Sequence, residues 1–447
     1  MMKKILIILQ ILILITGCES FVENTAPSVS YVSDDDINDP SNIPFLINGV
    51  LNDYSYAHGY ASLWADLMSD VIVNDGKVQG STDTRGEYMD NGSFDPTQGT
   101  YVRPYEAIAL AWRSAHILKE KLDIMNGEET AEADGYYTAY LYQGLPCFLL
   151  GSYYGRGPNY PDDGGATLNG SAFIPSSDLY GMAMAYFDSA LVFANDYQTK
   201  VVHSLIGRLH LYGGNYSAAA VHASQGLQDG DAPFEGLNGE EWPWPNWYWT
   251  SSGNNRARYT LGSRFKLLLG EEFEDTNGNG VWDSTETFID CAIPGADVGQ
   301  GDGLYNGPTE PEESVRLPMS AASMTPGAEY VRYFQTKYPD ADSPISIINW
   351  QENHLILAEL ALRNEAVGVS ALDAVNTVRA SYGLFSLESI DFSLLLHERD
   401  KELFCQGQRL VDQNRFPDEL PWHMLGTGTW HYISIPYEEE LANPNYP

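Results

Sequence analysis

The sequence predicts an all-α protein built from tetratricopeptide-like helical hairpins, with a large irregular insertion. Apolar residues recur at three- and four-residue spacing over most of the chain on both sides of residues 228–345. These periodic segments come in pairs, with small residues where paired helices would cross. Residues 228–345 instead are rich in Gly, Pro, Asn, Asp and Trp. Because long irregular segments in compact proteins are usually functional, we expect the insertion to carry the ligand face.

The periodic segments predict the helices in order. They are residues 43–69, 104–124, 131–152, 176–194, 201–227, 350–364, 369–383 and 392–411. Ser176, Ser177 and Asp178 are candidate N-caps for the fourth segment. Gly213 and Gly214 divide the segment 201–227 into two helices.

Composition and charge describe a globular, strongly acidic chain. Of its 447 residues, 43% are hydrophobic and 19% are charged, a balance that excludes wholesale disorder. The formal net charge is −37, with a pI of about 4.3. A nucleic-acid-binding protein needs a basic surface, so we expect no nucleic-acid partner.

The N-terminus has the pattern of an export signal. Lys3 and Lys4 precede an apolar run over residues 5–15, which is shorter than the roughly 20 residues of a membrane span. The run ends in Ile-Thr-Gly-Cys, which resembles a bacterial lipobox and implies a signal peptide over residues 1–17 with lipidation of Cys18. Simple secretion with cleavage near Gly17 is the alternative. Residues 18–40 are polar and predict a lipidated N-terminus and tether.

The remaining cysteines do not predict a disulfide framework. Cys147, Cys291 and Cys405 are an odd number, so at least one thiol is unpaired. Two of the three lie in apolar helical patterns, which predicts buried thiols.

The C-terminal third carries the pattern of a known family. ERDKELFCQGQRLVDQNRF, residues 398–416, resembles the signature of SusD/RagB-like outer-membrane lipoproteins. The matching positions are Glu398, Arg399, Glu402, Leu403, Gly407, Arg409, Asp412 and Arg415. Gln406 stands where the family often has Glu. The closing ISIPYEEELANPNYP, the helical pair over residues 350–384, residues 137–158 and the lipobox also resemble the family.

The resemblance implies one SusD-like domain over residues 41–447 and a function in nutrient uptake. Such proteins are surface-exposed outer-membrane lipoproteins that bind an oligosaccharide and deliver it to a SusC-like TonB-dependent transporter. In some branches the cargo is a peptide. The resemblance therefore implies a binding protein without catalytic activity, anchored by lipid in the outer membrane and facing outward.

A tryptophan-rich stretch in the insertion is the candidate ligand-binding segment. EEWPWPNWYWT, residues 240–250, contains Trp242, Trp244, Trp247, Tyr248 and Trp249. Its two prolines restrict the backbone and favour an extended or turned path, which lowers the entropy lost on binding. Indole rings offer flat apolar surfaces to the C–H face of a sugar. Packing of these rings as core is the competing interpretation, and Trp64 is expected to be core.

A second motif in the insertion predicts a structural calcium site. DTNGNGVWDSTE, residues 275–286, matches the EF-hand loop pattern. Gly280 occupies the position of the sharp turn. The predicted ligands are Asp275, Asn277, Asn279, the Val281 carbonyl, Asp283 and Glu286. A polar Asn-Gly turn without an ion is the alternative.

No motif for catalysis stands out in the sequence. His397-Glu398 begins like a zinc-protease helix but lacks the second histidine, and nucleophile-elbow and phosphate-loop patterns are absent. A glycoside hydrolase needs only two suitably spaced carboxylates, so it stays a less favoured alternative. We predict an oligosaccharide-binding protein, with peptide binding as the main alternative.

Overall fold

The structure is a computed structural model. It describes residues 38–74, 90, 102–125, 129–157, 164–239, 244–253, 259–262, 265, 273–278, 282–288, 303–305, 307, 314–321, 333–420 and 430–446. The predicted signal peptide, Cys18 and nearly all of the predicted tether lie outside these residues, as do Cys291, Trp242, Asn279 and Val281.

Helices make up most of the described fold, as the sequence predicts. They are α1 (Ile43–Met68), α2 (Val102–Ile124), α3 (Glu129–Tyr153), α4 (Ser176–Leu191), α5 (Asp196–Tyr212), α6 (Tyr216–Ala223), α7 (Trp247–Ser252), α8 (Trp350–Leu362), α9 (Ala371–Ser381), α10 (Phe392–Glu402), α11 (Arg409–Arg415) and α12 (Tyr437–Ala442).

Neighbouring helices pack in chain order, which is the arrangement of tetratricopeptide-like hairpins. Helix α1 packs on α2, α2 on α3 and α3 on α4, and further pairs form between α5 and α6 and between α8 and α9. One apolar core extends from Ile43 to Ile435 and takes side chains from both sides of the insertion. The all-α fold predicted from helical periodicity is confirmed.

Helices α1, α2, α3, α8 and α9 begin and end within two residues of the predicted boundaries, whereas α5 begins at Asp196, five residues before its predicted start. Asn195 and Gln198 form a capping box at α5, and Gly214 has a φ of 73°, which lets the chain turn between α5 and α6. At α4 the N-cap is Pro175, which contributes no side-chain hydrogen bond. The expectation of a cap from Ser176, Ser177 or Asp178 is therefore wrong, because all three lie in the first helical turn.

The predicted helix over residues 392–411 is two helices, α10 and α11. Cys405 and Gly407 between them have φ angles of 54° and 76°. A Cβ on residue 407 would lie 2.8 Å from the Cα of Ser62 in α1, and the Gly407 N–H donates to Asp66 at 3.1 Å. The chain turns here because this glycine meets the buried face of α1.

The family-signature residues of the C-terminal third form buried ion pairs. Glu398 accepts from Arg316 at 2.9 Å and from Arg379 at 2.8 Å, and Lys401 lies 3.0 Å from the same carboxylate. Arg399 donates to Asp412 at 2.8 Å. These pairs tie α10 to α9, α11 and the insertion, so the signature is structural in this fold.

Short strands complete the described fold, and several of them lie within the insertion or at its C-terminal end. They are β1 (Ile72–Val73), β2 (Tyr154–Gly155), β3 (Gly165–Ala166), β4 (Ile174–Pro175), β5 (Phe234–Gly236), β6 (Thr260–Leu261), β7 (Met319–Ala321), β8 (Tyr333–Gln335), β9 (Ile345–Ile348) and β10 (Ile433–Ser434). Strand β5 pairs antiparallel with β9, with Gly236 opposite Ile345, so the two ends of the insertion are held together. Strand β6 of the insertion pairs antiparallel with β1, which follows the C-terminal end of α1.

Two of the four cysteines lie among the described residues. Cys147 and Cys405 are both buried, as their apolar surroundings in the sequence predict. Among the helices of the described residues, none combines the length and apolarity needed to cross a membrane.

Candidate ligand-binding face

The second half of the tryptophan-rich stretch forms the short helix α7. Asn246 caps this helix by accepting from the Trp249 N–H at 3.0 Å. Its own N–H donates to the Ala341 carbonyl at 2.9 Å, and its side-chain amide donates to the Ser343 carbonyl at 2.8 Å. Asn246 is fully buried, so it locks the tryptophan segment onto the chain that leads into β9.

The aromatic residues of the stretch divide between surface and core. Trp244 is 38% exposed, whereas Trp247 and Trp249 are partly buried. Tyr248 has no exposed surface, stacks on Tyr338 with centroids 5.2 Å apart, and donates to the buried Asp66 at 2.5 Å. We therefore correct the expectation for Tyr248, which packs in the core and offers no surface to a ligand.

Rings of α1 extend the tryptophan stretch into a stacked aromatic array. The Trp247 indole lies over Tyr60 with centroids 4.1 Å apart and planes 13° from parallel. Trp64 meets Tyr60 edge-on at 5.7 Å and is buried, which confirms its expected place in the core. At the outer end, Trp244 lies against Tyr56 with centroids 4.1 Å apart and planes tilted by 32°. Trp244 and Tyr56, which we call the aromatic platform, are the accessible end of this array.

Charged side chains of α2 lie close to the aromatic platform. Burial raises the pKa of the Tyr56 hydroxyl, while the charges of Arg103 and Glu106 act on it in opposite directions. Both charged side chains are exposed, so they can hydrogen-bond to a ligand seated on the rings. The platform thus combines flat apolar surface with a nearby cation and a nearby carboxylate.

Sequence reasoning missed Tyr56, although a signal for it exists. Tyr56, Tyr60 and Trp64 follow one another at four-residue spacing, which places them along one face of α1. That spacing is also typical of a buried face, and two of the three are buried. Only the packing of α7 against α1 shows that Tyr56 is the one that reaches the surface.

The predicted calcium loop is closed by its own hydrogen bonds. Phe273 and Phe288 form an antiparallel bridge across its ends, and the Glu274 N–H donates to the Thr287 carbonyl at 2.9 Å. The buried Glu286 carboxylate accepts from the Thr276 N–H at 2.9 Å and from the Asp283 N–H at 3.1 Å.

The side chains present in the loop are chemically suited to calcium. Asp275, Asn277, Asp283 and Glu286 all offer hard oxygen atoms, which are the ligands that calcium prefers. The Asn277 amide donates to Asp283 at 2.8 Å, so the third and ninth loop positions are adjacent. In the part of the chain that the structure describes, no three His, Cys, Asp or Glu side chains surround a common point.

An aromatic cluster packs beside the calcium loop. Trp282 stacks on Tyr305 with centroids 4.6 Å apart, and Phe273 and Phe288 meet the same ring edge-on at 5.6 and 5.8 Å. These rings give the loop a small apolar support of its own. Of the six predicted ligands, the structure places four, because Asn279 and Val281 lie outside the described residues.

Comparison with known proteins identifies the fold. No family model matches the chain, and no curated protein matches it. Solved structures do: a SusD superfamily protein from Bacteroides vulgatus has 12% identity and a TM-score of 0.62 over 91% of this chain and 98% of its own. A SusD-like carbohydrate-binding protein from the same organism has 15% identity and a TM-score of 0.61 over 91% and 97%.

A third structure agrees with these two. Surface glycan-binding protein A from Bacteroides thetaiotaomicron has 14% identity and a TM-score of 0.56 over 91% of this chain and 98% of its own. The match extends over nearly the whole length of each relative and over 91% of this chain. The chain therefore has the fold of the SusD-like proteins, as its C-terminal signature predicts.

Proposed function

We propose that this protein binds an oligosaccharide at the aromatic platform. The observation that carries the proposal is the pairing of the exposed Trp244 with Tyr56 at 4.1 Å, beside the exposed Arg103 and Glu106. A sugar ring presents an apolar C–H face that an indole covers, and hydroxyl groups that charged side chains can bind. Trp249 and Trp242 belong to the same segment and are proposed to widen the face.

The platform is pre-organised, which favours binding of a flexible glycan. Tyr56 stands on a 26-residue helix, and α7 is fixed by the three hydrogen bonds of Asn246. Rings held by a rigid scaffold lose little conformational entropy when a ligand arrives. Trp247 contributes by supporting Tyr56, since their centroids are 5.8 Å apart.

The solved relatives support the same function by what they are said to bind. One has been solved as a SusD-like carbohydrate-binding protein, one as a laminarin-binding SusD-like protein and one as a surface glycan-binding protein. We extend a carbohydrate ligand to this chain as a proposal. No catalytic step is proposed for it.

The proposal includes a membrane anchor for the protein and a transporter that receives the glycan. The lipobox resemblance supports an outer-membrane lipoprotein, attached through Cys18 and facing outward. The family resemblance supports handover of the glycan to a SusC-like TonB-dependent transporter.

The calcium loop is proposed as a structural site, in which Asp275, Asn277, Asp283 and Glu286 hold the ion together with Asn279 and the Val281 carbonyl. It would brace the insertion that presents the platform.

A binding screen of the purified protein distinguishes the glycan from the peptide alternative. The protein is applied to a glycan array and to a peptide array, each with calcium and again with chelator. We expect binding to glycans and not to peptides. Binding to peptides alone would replace the oligosaccharide proposal by peptide capture. Hydrolysis of a bound glycan would replace it by the glycoside hydrolase alternative.

A further inference from the structure

A cavity in the helical scaffold lies apart from the aromatic platform. It has a volume of about 510 Å³ and opens between α3, α4, α5 and α11. It shares no lining residue with the platform. Polar and aromatic side chains line it, among them Ser176, Tyr180, Tyr212, Asn414, Arg415 and Tyr432. Its volume falls within the roughly 300–1,000 Å³ of small-molecule sites.

One wall of the cavity belongs to a buried ion network with surplus positive charge. Arg415 pairs with Glu359 and, at 3.0 Å, with Asp412. Glu359 is shared with Arg363 at 2.9 Å, and Asp412 is shared with Arg399 at 2.8 Å. Three guanidinium groups therefore share two carboxylates. Counted over the described ion pairs, this network has a net charge of +1, which in a chain of net charge −37 is a local attraction for an anion.

Arg415 has hydrogen-bonding capacity left for a ligand. A guanidinium has five N–H donors. Two of those of Arg415 have acceptors, one on Asp412 and one on Glu359. Among the described residues no acceptor is found for the others. A carboxylate that enters the cavity could accept hydrogen bonds from these remaining N–H groups of Arg415.

Hydroxyl groups line the other walls of the cavity. The Ser176 Oγ is buried and has no hydrogen-bond partner in the described structure. A Cβ added at the neighbouring Gly164 would lie 2.7 Å from that oxygen and 2.8 Å from the Tyr432 hydroxyl, so the two hydroxyls border the same small space. The Tyr180 hydroxyl pairs with Ser152 at 3.1 Å. A buried polar group without a partner costs free energy unless a ligand or water satisfies it.

We propose that this cavity binds a small polyhydroxylated carboxylate, such as a hexuronic acid. Its carboxylate would bind Arg415, and its hydroxyl groups would pair with Ser176 and with the tyrosine hydroxyls. The single surplus charge matches a monoanion, and the hydroxyl-rich walls distinguish a sugar acid from a simple organic acid. The inference does not depend on the platform, because the two sites lie on different elements.

The test titrates D-galacturonate into the purified protein by isothermal titration calorimetry, with D-galactose and inorganic phosphate as comparison ligands. We expect one saturable site for galacturonate and at least about tenfold weaker binding of galactose, because only the acid can engage Arg415. Ser176→Ala should weaken galacturonate binding without loss of folding, because the serine oxygen has no partner among the described residues. The matched control is Ser189→Ala on the same helix, whose hydroxyl bonds the Ala185 carbonyl.

Five results would overturn the proposal. Galacturonate and galactose binding equally would show that Arg415 is not a ligand contact, and phosphate binding better than galacturonate would identify an inorganic anion site. An unchanged affinity in both Ser176→Ala and Tyr432→Phe would place the ligand elsewhere. Loss of galacturonate binding in Trp244→Ala, with Ser176→Ala unaffected, would assign the sugar acid to the platform. Absence of saturable binding also refutes the site.

Discussion

The indole of Trp244 and the ring of Tyr56 lie 4.1 Å apart, centroid to centroid, although they are 188 positions apart in the chain. Tyr56 lies on the long helix α1, whereas Trp244 belongs to the insertion. The contact exists because Asn246 locks α7 to the segment before β9, and Trp247 fills the space over Tyr60. The insertion thereby places the exposed indole of Trp244 against Tyr56, which is held by a long helix.

Tyr56→Ala is expected to weaken glycan binding about tenfold, which corresponds to about 1.4 kcal/mol. The substitution removes half of the platform and the support beneath Trp244. Tyr56→Phe keeps the ring and should stay within about twofold of wild type. Phe45→Ala, on the same helix with Phe45 73% exposed, is the control and should change nothing. Equal affinities for Tyr56→Ala and wild type would mean that the sugar does not stack here.

Tyr248→Phe is expected to lower the free energy of unfolding by about 1–3 kcal/mol, because the buried Asp66 loses a donor. The Gly407 N–H would still donate to that carboxylate. Urea unfolding followed by circular dichroism measures the change. Tyr197→Phe removes an exposed hydroxyl that bonds the Ala232 carbonyl, and should cost less than about 0.5 kcal/mol. If the two variants are equally stable, Tyr248 does not anchor α7.

Calcium is expected to raise the melting temperature of the wild-type protein, and chelator should reverse the rise. A ligand that binds only the folded state stabilises it by mass action. Glu286→Gln should abolish the calcium response, because the twelfth loop position supplies the bidentate carboxylate. Glu274→Gln, just outside the loop, should respond like wild type. A calcium response that survives in Glu286→Gln would locate the ion elsewhere, and no response in wild type would refute the site.

Acidification is expected to destabilise the protein partly through His58. Burial, with a smaller effect of Arg208, lowers the pKa of His58 from 6.5 to about 3. Its folded form is neutral, so below pH 6.5 protons bind the unfolded chain preferentially, and stability falls as the pH drops toward 3. From about pH 7 to about pH 5 this amounts to about 2 kcal/mol.

The variant His58→Phe isolates this contribution. Phenylalanine keeps the ring that lies parallel to Tyr54, with centroids 5.6 Å apart in the wild type. Its unfolding free energy should fall less than that of wild type over the same pH interval. Identical pH dependence in the two proteins would show that His58 does not contribute to the loss of stability in acid.

Periodic apolar segments predicted the helices of the scaffold well, because the buried residues of a helix recur every three or four positions in the sequence. The glycine pair at residues 213–214 predicted a turn for the same local reason. The division of residues 392–411 was missed, since nothing local shows that Gly407 must pass within van der Waals distance of Ser62. The charge partners of Glu398 were also missed, because Arg316 and Arg379 reach it only through the tertiary fold.

The division of the tryptophan-rich stretch between surface and core could not be predicted from the sequence. The proline-broken tryptophan stretch indicated a surface segment, yet residue type alone could not separate Trp244 from Tyr248. Helix α7 turns the tyrosine inward, where Asp66 and Tyr338 receive it. Tyr56 escaped notice because its helical spacing matches that of buried residues.

The dissociation constant of the Trp244→Ala protein tests the central claim most directly. It is measured by calorimetry with the glycan that binds best on the array, beside wild type and the exposed control Phe385→Ala. We predict an affinity at least about tenfold weaker for Trp244→Ala, with unchanged unfolding free energy and an unchanged control. An affinity equal to wild type in a folded Trp244→Ala protein would contradict the assignment of the aromatic platform as the glycan site.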